Sequence, residues 1–247
     1  MPTPDIPTAT LALLAQAPLL AGLPERDLAA LAELARVDRF EREAVLFSQS
    51  ALCDRVWLLR AGEVKIIHQE LDGREVILEV ISPGEVFGGA VLFMDAHPAT
   101  AKAMTPVETV SFSSETYARL FNGHPDIARK LIRMLGGRLH SLMGLQILAG
   151  ERVERRLAHI LLKLADRVGR VEPEGTLLTI PLSRQDLADM AGTTLETAIR
   201  TISRFRAQGW VTTRRGGYLL ITDLGQLRYQ AKPAEPAGGF SPRLQKG

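Results

Sequence analysis

Leu11, Leu14, Leu19, Leu20, Leu23, Leu28, Leu31 and Leu34 recur at helical spacing over residues 8–36, with Pro24 placed where a helix would start. From about residue 40 to 112 the period changes. Short β-branched runs at 56–59, 64–68, 76–81 and 110–112 alternate with the turn pairs Ala61-Gly62, Asp72-Gly73 and Pro83-Gly84. Strands at that spacing predict a sandwich or a barrel-like roll. Asp72-Gly73, lying between two apolar runs, predicts a tight hairpin turn with positive φ at both central residues. Helical period returns over 126–150, where Ile132, Leu135, Leu139 and Leu142 form a narrow stripe that Gln146, Ala149 and Val153 extend. Such a stripe suits a helix paired with a second copy of itself, or one lying on its own sheet. Gly136, Gly137, Gly144 and Gly150 each weaken it by roughly 1 kcal/mol against alanine, while allowing close helix approach. Val153, Leu157, Ile160, Leu161 and Leu164 predict a further helix over 153–169, and the Pro/Gly-rich tail 231–247 predicts disorder.

The densest signal is SRQDLADMAGTTLETAIRTISRFRAQG, residues 183–209. Ser183 with Asp186, and Thr193 with Glu196, have capping-box spacing, so two helices start ten residues apart. Gly192 falls where the chain must reverse, and Ala188 is small where the two helices cross. This pattern predicts a helix–turn–helix whose second helix runs from about Thr194 to Gln208. Glu196 and Arg200 stand four apart near its N-terminal end: arginine can donate twice to guanine, and glutamate can accept from cytosine. The same spacing also suits a surface ion pair. Arg184 and Gln185 are placed for phosphates, and WVTTRRGGYLLI reads as two strands around the basic tip Arg214-Arg215.

Composition narrows the class. Of 247 residues, 46% are hydrophobic and 23% charged, as in one or two globular domains. No apolar, uncharged run reaches the ~18 residues of a membrane span, and no Lys or Arg precedes the leucine-rich start as a secretory signal requires. Cys53 is the sole cysteine, which excludes an intrachain disulfide and an all-cysteine metal or iron–sulfur site within one chain; a reducing cytoplasm is the expected setting. The net charge of +2 conceals −4 over residues 1–150 and +6 over 151–247, so the second part suits a polyanion. No nucleophile–base constellation, metal-ligand spacing or lysine-linked phosphate loop is present, which argues against an enzyme.

Over about residues 12–228 the chain resembles the Crp/Fnr superfamily of bacterial transcription regulators. VWLLRAGEVKI (56–66), DGREVILEVISPGEVFGG (72–89), the RLH turn (138–140) and SRQDLADMAGTTLETAIRTISRF carry the resemblance. It implies an α+β architecture. A double-stranded β-helix (jelly-roll-like β-roll) sensor with N-terminal helices would span 1–124, and a dimerisation helix 125–150. A winged helix–turn–helix would span 151–230, followed by the tail 231–247. It further implies a homodimer on a palindromic operator with half-sites one DNA turn apart, and RNA polymerase as a partner. The DNA contacts it implies are Arg184, Gln185, Thr194, Glu196, Thr197, Arg200, Arg204, Arg214 and Arg215. Glu196 and Arg200 match the family's E-x-x-S-R pattern, and Ile199 replaces its serine.

The resemblance also bears on the effector. Members that bind cyclic AMP carry G-E-x-A/G followed by R-S/T-A, whereas this chain reads FGGAVLFMDAHPATAKA. Gly89 replaces the glutamate and His97-Pro98-Ala99 occupies the arginine region, leaving a cyclic phosphate without its cation. The implied pocket comprises Phe87, Gly88, Gly89, Ala90, His97, Pro98 and Ala99 with Leu139 and Leu142 of the long helix. FMD (93–95) and ATA (99–101) resemble the heme-dependent, nitric oxide-responsive (Dnr-like) branch, with His140 or His124 as axial ligand and no iron–sulfur cluster. A regulator that binds cyclic AMP or cyclic GMP, or one that needs no effector, is the alternative.

Overall fold

A computed structural model describes residues 6–147 and 152–232, with side chains for 9–136 and 152–232. The predicted N-terminal helical stretch is two helices, α1 (Ile6–Gln16) and α2 (Glu25–Leu34). The chain turns between them at Gly22, where φ is +87°, and Pro24 is the N-cap of α2. Leu14, Leu19, Leu20, Leu28 and Leu31 are buried against Val56, Leu58, Val110 and Phe112, so the leucine stripe covers one sheet of the sensor.

Eight strands follow: β1 (Arg36–Phe40), β2 (Val45–Phe47), β3 (Arg55–Ala61), β4 (Val64–Gln69), β5 (Glu75–Ile81), β6 (Val86–Phe87), β7 (Thr100–Ala103) and β8 (Val107–Ser113). They form two antiparallel four-stranded sheets, ordered β1-β8-β3-β6 and β2-β7-β4-β5. This is the expected β-roll, although β2, β6 and β7 carried no periodic signal. The first two are only three and two residues long. In β7, Ala101 and Ala103 are fully buried where the interior leaves room only for small side chains. The Asp72-Gly73 expectation needs correction. Residues 70–74 link β4 to β5, the Glu70 amide donates to the Arg74 carbonyl at 2.8 Å, and Gly73 alone has positive φ.

The two faces of the β4–β5 hairpin do different work. Strand alternation directs cross-strand partners Ile66 and Glu79 inward, and the adjacent partners Lys65 and Val80 outward. After the sensor come α3 (Ser114–Gly123), the long α4 (Pro125–Ile147) and a compact unit of α5 (Val153–Val168), β9 (Gly169–Glu172), β10 (Gly175–Pro181), α6 (Arg184–Ala191), α7 (Leu195–Ala207), β11 (Val211–Thr213), β12 (Tyr218–Ile221) and α8 (Leu224–Ala231). Residues 148–151 and the tail from 233 on lie outside the described residues.

Val80 and Met104 of the sensor join the core of this second unit, built on Leu157, Leu161, Leu178, Ile180, Ile202 and Phe205. Beside them Lys65 Nζ donates to Asp186 Oδ1 at 2.6 Å, with the two side chains only 10% and 11% exposed. Burial pushes the Asp186 carboxyl up, but hydrogen bonds from Lys65 and Ser183 outweigh it and hold the group below its ordinary value.

Removing one member of such a pair strands the other charge. Lys65→Met is expected to cost about 3–5 kcal/mol in urea unfolding, and Lys65→Met/Asp186→Asn clearly less. Because the folded pKa of Asp186 is depressed, its contribution is complete above the unfolded aspartate value of about 4 and is lost as pH falls through the lower folded value. Unfolding midpoints of the wild type should therefore drop through that acid window more steeply than those of the double variant.

Candidate functional site

The helix–turn–helix is assembled from its caps outward. Ser183 Oγ accepts from the Asp186 amide, and Asp186 Oδ2 accepts from the Ser183 amide, both at 2.9 Å, completing the first capping box. Gly192 takes φ +57° to end α6, and the Thr193 amide donates back to the Ala188 carbonyl at 3.0 Å. The second cap differs from expectation. Thr194, not Thr193, accepts from the Thr197 amide, because Thr193 is used in closing the turn after Gly192. Glu196 is thereby left in the first turn with its side chain exposed.

Ala198, Thr201, Ile202 and Phe205 bury one side of α7. Its opposite side exposes Glu196, Arg200 and Ser203, flanked by Ile199 at 44% exposure. Among the described residues neither Glu196 nor Arg200 is in an ion pair, so the surface-pair alternative does not describe this helix. The other predicted DNA contacts are placed unevenly. Thr194 and Thr197 bond each other, Oγ1 to Oγ1, at 2.9 Å in the cap. Gln185 donates to Asp189 at 2.7 Å, and Arg204 to Glu154 at 2.7 Å. Arg214 pairs with Glu172 at 3.1 Å and Glu174 at 3.3 Å, and Arg215 is exposed at the wing tip, where Gly216 and Gly217 both have positive φ. Arg184 donates to Thr213 Oγ1 at 3.0 Å, joining α6 to the wing. Burial, and then the neighbouring Arg206 guanidinium, lowers its pKa; an anion between two such cations would relieve that strain.

Between the β-roll and α4 lies a cavity of about 270 Å³. Phe87, Gly88, Gly89, Ala90, His97, Pro98 and Ala99 all line it, as expected. The side chains of Leu139, Leu142 and His140 lie outside the described residues; among those described, α4 supplies Leu131, Met134 and Leu135. Phe47, Ile66, Glu79, Ile81, Val86, Phe93, Met94 and Tyr117 also line the cavity and were not anticipated. Alternation along β4 and β5 could have shown Ile66, Glu79 and Ile81. Phe47 and Tyr117 come from remote segments and leave no such trace.

One wall is aromatic. The Phe47 ring stacks on Trp57 at 4.8 Å and on the His97 imidazole at 3.8 Å. His97 is 2% exposed, with Nδ1 3.4 Å from Cys53 Sγ. Its Nε2 is buried with no hydrogen-bond partner among the described residues. Burial lowers the His97 pKa against the pull of Asp54, so the ring is neutral; burial, with Asp54 adding, raises the Cys53 thiol. Among the described residues no lysine or arginine lines the cavity. Its one carboxylate, Glu79, pairs with Arg167 of α5 at 3.4 Å, and Arg167 also bonds Glu85. His124 is a correction: it caps the end of α3, its Nε2 3.5 Å from Asp27 Oδ2, and it does not line the cavity.

Residues 155–229 match the Crp-like helix-turn-helix domain, and residues 37–124 match the cyclic nucleotide-binding domain. A CRP-like cAMP-activated global transcriptional regulator of Mycobacterium tuberculosis is 30% identical over 223 residues, which cover 89% of this chain and 99% of that protein. The chain belongs to the Crp/Fnr family of transcription regulators. The nitrogen fixation regulation protein FixK of Azorhizobium caulinodans is 27% identical across 76% of each chain. The structure of FixK2 from Bradyrhizobium japonicum superposes with a TM-score of 0.71 at 23% identity, over 81% of this chain and 99% of the other.

Within this Crp/Fnr fold the floor of the cavity depends on Gly88. Its φ is +75°, and an added Cβ would stand 2.6 Å from the Trp57 ring. Gly88→Ala is expected to lower stability by about 1–3 kcal/mol and to disturb the Trp57 environment, read together by chemical unfolding and near-ultraviolet circular dichroism.

Proposed function

We propose that the protein is a homodimeric, sequence-specific DNA-binding transcription regulator controlled by a small effector that is not a cyclic nucleotide. The observation that carries the DNA reading is the solvent-facing, unbridged pair Glu196 and Arg200 on the second helix of a capped helix–turn–helix. In this reading residues 1–124 sense, 125–150 pair two copies, and 151–230 bind a palindromic operator. Exposed Ile132 and Leu135, at 68% and 42%, supply apolar surface for the pairing. Arg184, Arg204, Arg214 and Arg215 meet phosphates, with Gln185, Thr194 and Thr197 at their edges, while Glu196 and Arg200 read bases. RNA polymerase is the further partner through which binding would alter transcription.

The effector reading rests on charge. A cyclic phosphate entering the cavity would lose water and meet no cation among the described lining residues. A different group must therefore shift the balance between DNA-competent and DNA-incompetent placements of the winged domains. It can do so only by binding one placement more tightly.

The cavity also tests the heme expectation. His97 Nε2 would be the sole described axial donor lining it, in place of His124. A cavity of about 150 Å³ holds benzene, so the 270 Å³ here accommodates roughly ten to twelve non-hydrogen atoms, and a tetrapyrrole would extend beyond it. No described cation waits for its carboxylates. The described residues do not fit heme, and nitric oxide sensing through heme iron gains no support from them; the His140 side chain lies outside those residues.

On duplexes selected from a random pool, Arg200→Ala is expected to weaken binding by about 1–3 kcal/mol and relax base preference. Arg184→Ala should weaken selected and random duplexes alike and flatten the salt dependence. Equal losses on both duplexes for Arg200→Ala would overturn the base-reading role. Added cyclic AMP should leave band shifts unchanged.

A further inference from the structure

The cavity's chemistry specifies its occupant more narrowly than the absence of a cation does. This inference rests on the proposed function in taking the cavity as the effector site. His97 is 2% exposed, yet its Nε2 meets no hydrogen-bond partner among the described residues, although the ring lines the cavity. A buried nitrogen left in that condition costs free energy that an occupant can recover. The ring cannot readily turn away: Phe47 stacks on it at 3.8 Å with an interplanar angle of 15°, and Cys53 Sγ holds its other nitrogen at 3.4 Å.

We propose that the effector is an uncharged, largely apolar ring compound of about ten to twelve non-hydrogen atoms, carrying one oxygen or nitrogen that accepts a hydrogen bond from His97 Nε2. The size follows from the cavity of about 270 Å³. The flat shape follows from its stacked aromatic wall of Phe47 and His97, with Phe87 behind. The polarity follows from Cys53. With the Cys53 thiol, which burial keeps protonated, assigned as the donor to Nδ1, the ring proton sits on Nε2 and that nitrogen donates; this assignment is part of the proposal. Glu79 does not contradict this, because its charge is met by Arg167 of α5.

Three probes of nearly equal size separate the terms: indane has no polar atom, 1-indanone has one acceptor, and indole has one donor. In calorimetric titrations of the full-length dimer, 1-indanone is expected to bind at one per chain. It should bind about tenfold or more tighter than indane, because indane would leave Nε2 buried and unmet. His97→Phe should bring the two within about twofold of each other, and His97→Gln, which keeps an N–H, should restore part of the preference. Ala90→Phe, filling the cavity from its half-buried edge, should abolish binding of all three while thermal melting reports an intact fold.

The inference is overturned if indane matches 1-indanone in the wild type, if indole exceeds both, or if none of the three binds. It is also overturned if cyclic AMP or hemin occupies the site more tightly than the ketone. Band shifts on the selected duplex, run on the same preparations, keep the two readings apart. Retained DNA binding with failed probes removes this ligand class alone, whereas loss of sequence-specific DNA binding removes the regulator reading.

Discussion

One layer of strands separates the cavity from the winged domain, and among the described residues a single nearly dry ion pair, Lys65–Asp186, crosses the far side of it. Ile66 and Glu79 face the cavity, while their strand neighbours Lys65 and Val80 face α6 and the winged core. Lys65 and Asp186 tolerate burial only because each answers the other, and Asp186 has a second duty as the capping partner of Ser183. The start of the helix–turn–helix is therefore tied to a sensor strand by a contact with strict geometry. Apolar packing of Val80 and Met104 alone would hold the domains together with less directional demand. Glu79 reinforces the arrangement, since it lines the cavity and also reaches Arg167 of α5.

The N-terminal domain keeps the Crp/Fnr roll around a largely apolar cavity. The cavity combines a wall of stacked rings, a histidine whose pKa burial lowers, and no described cation. These features are mutually consistent, because each ionised group added to a small, apolar cavity would need a partner that the space does not provide. The Cys53–His97 contact accounts for the single cysteine. It sets a buried thiol, whose pKa burial raises, beside the imidazole.

At the other end, local chemistry builds the exposed face of α7 almost unaided. Two side-chain caps, a left-handed glycine and an apolar face of Ala198, Ile202 and Phe205 set α7 so that Glu196 and Arg200 project together. Ile199 beside them brings apolar surface where the family pattern has a hydroxyl. The positive charge of the second half of the chain is only partly free. Arg204 and Arg214 are held by glutamates, whereas Arg200 and Arg215 are not in ion pairs among the described residues.

Sequence alone determined the elements whose causes are local. The helix–turn–helix follows from caps and Gly192, the wing from paired glycines, α5 from its stripe, and the pocket segment 87–90 with 97–99 from the family motif. It overran where one stripe hid a turn, as in α1 and α2, and missed strands too short or too alanine-rich to show a period. Only the tertiary structure decided that Phe47 and Tyr117 close the cavity, that His124 lies outside it beside Asp27, and that Lys65 meets Asp186 across 121 positions. Those contacts join segments distant along the chain. Their energy comes from burial and charge pairing in three dimensions, which periodicity and spacing do not encode.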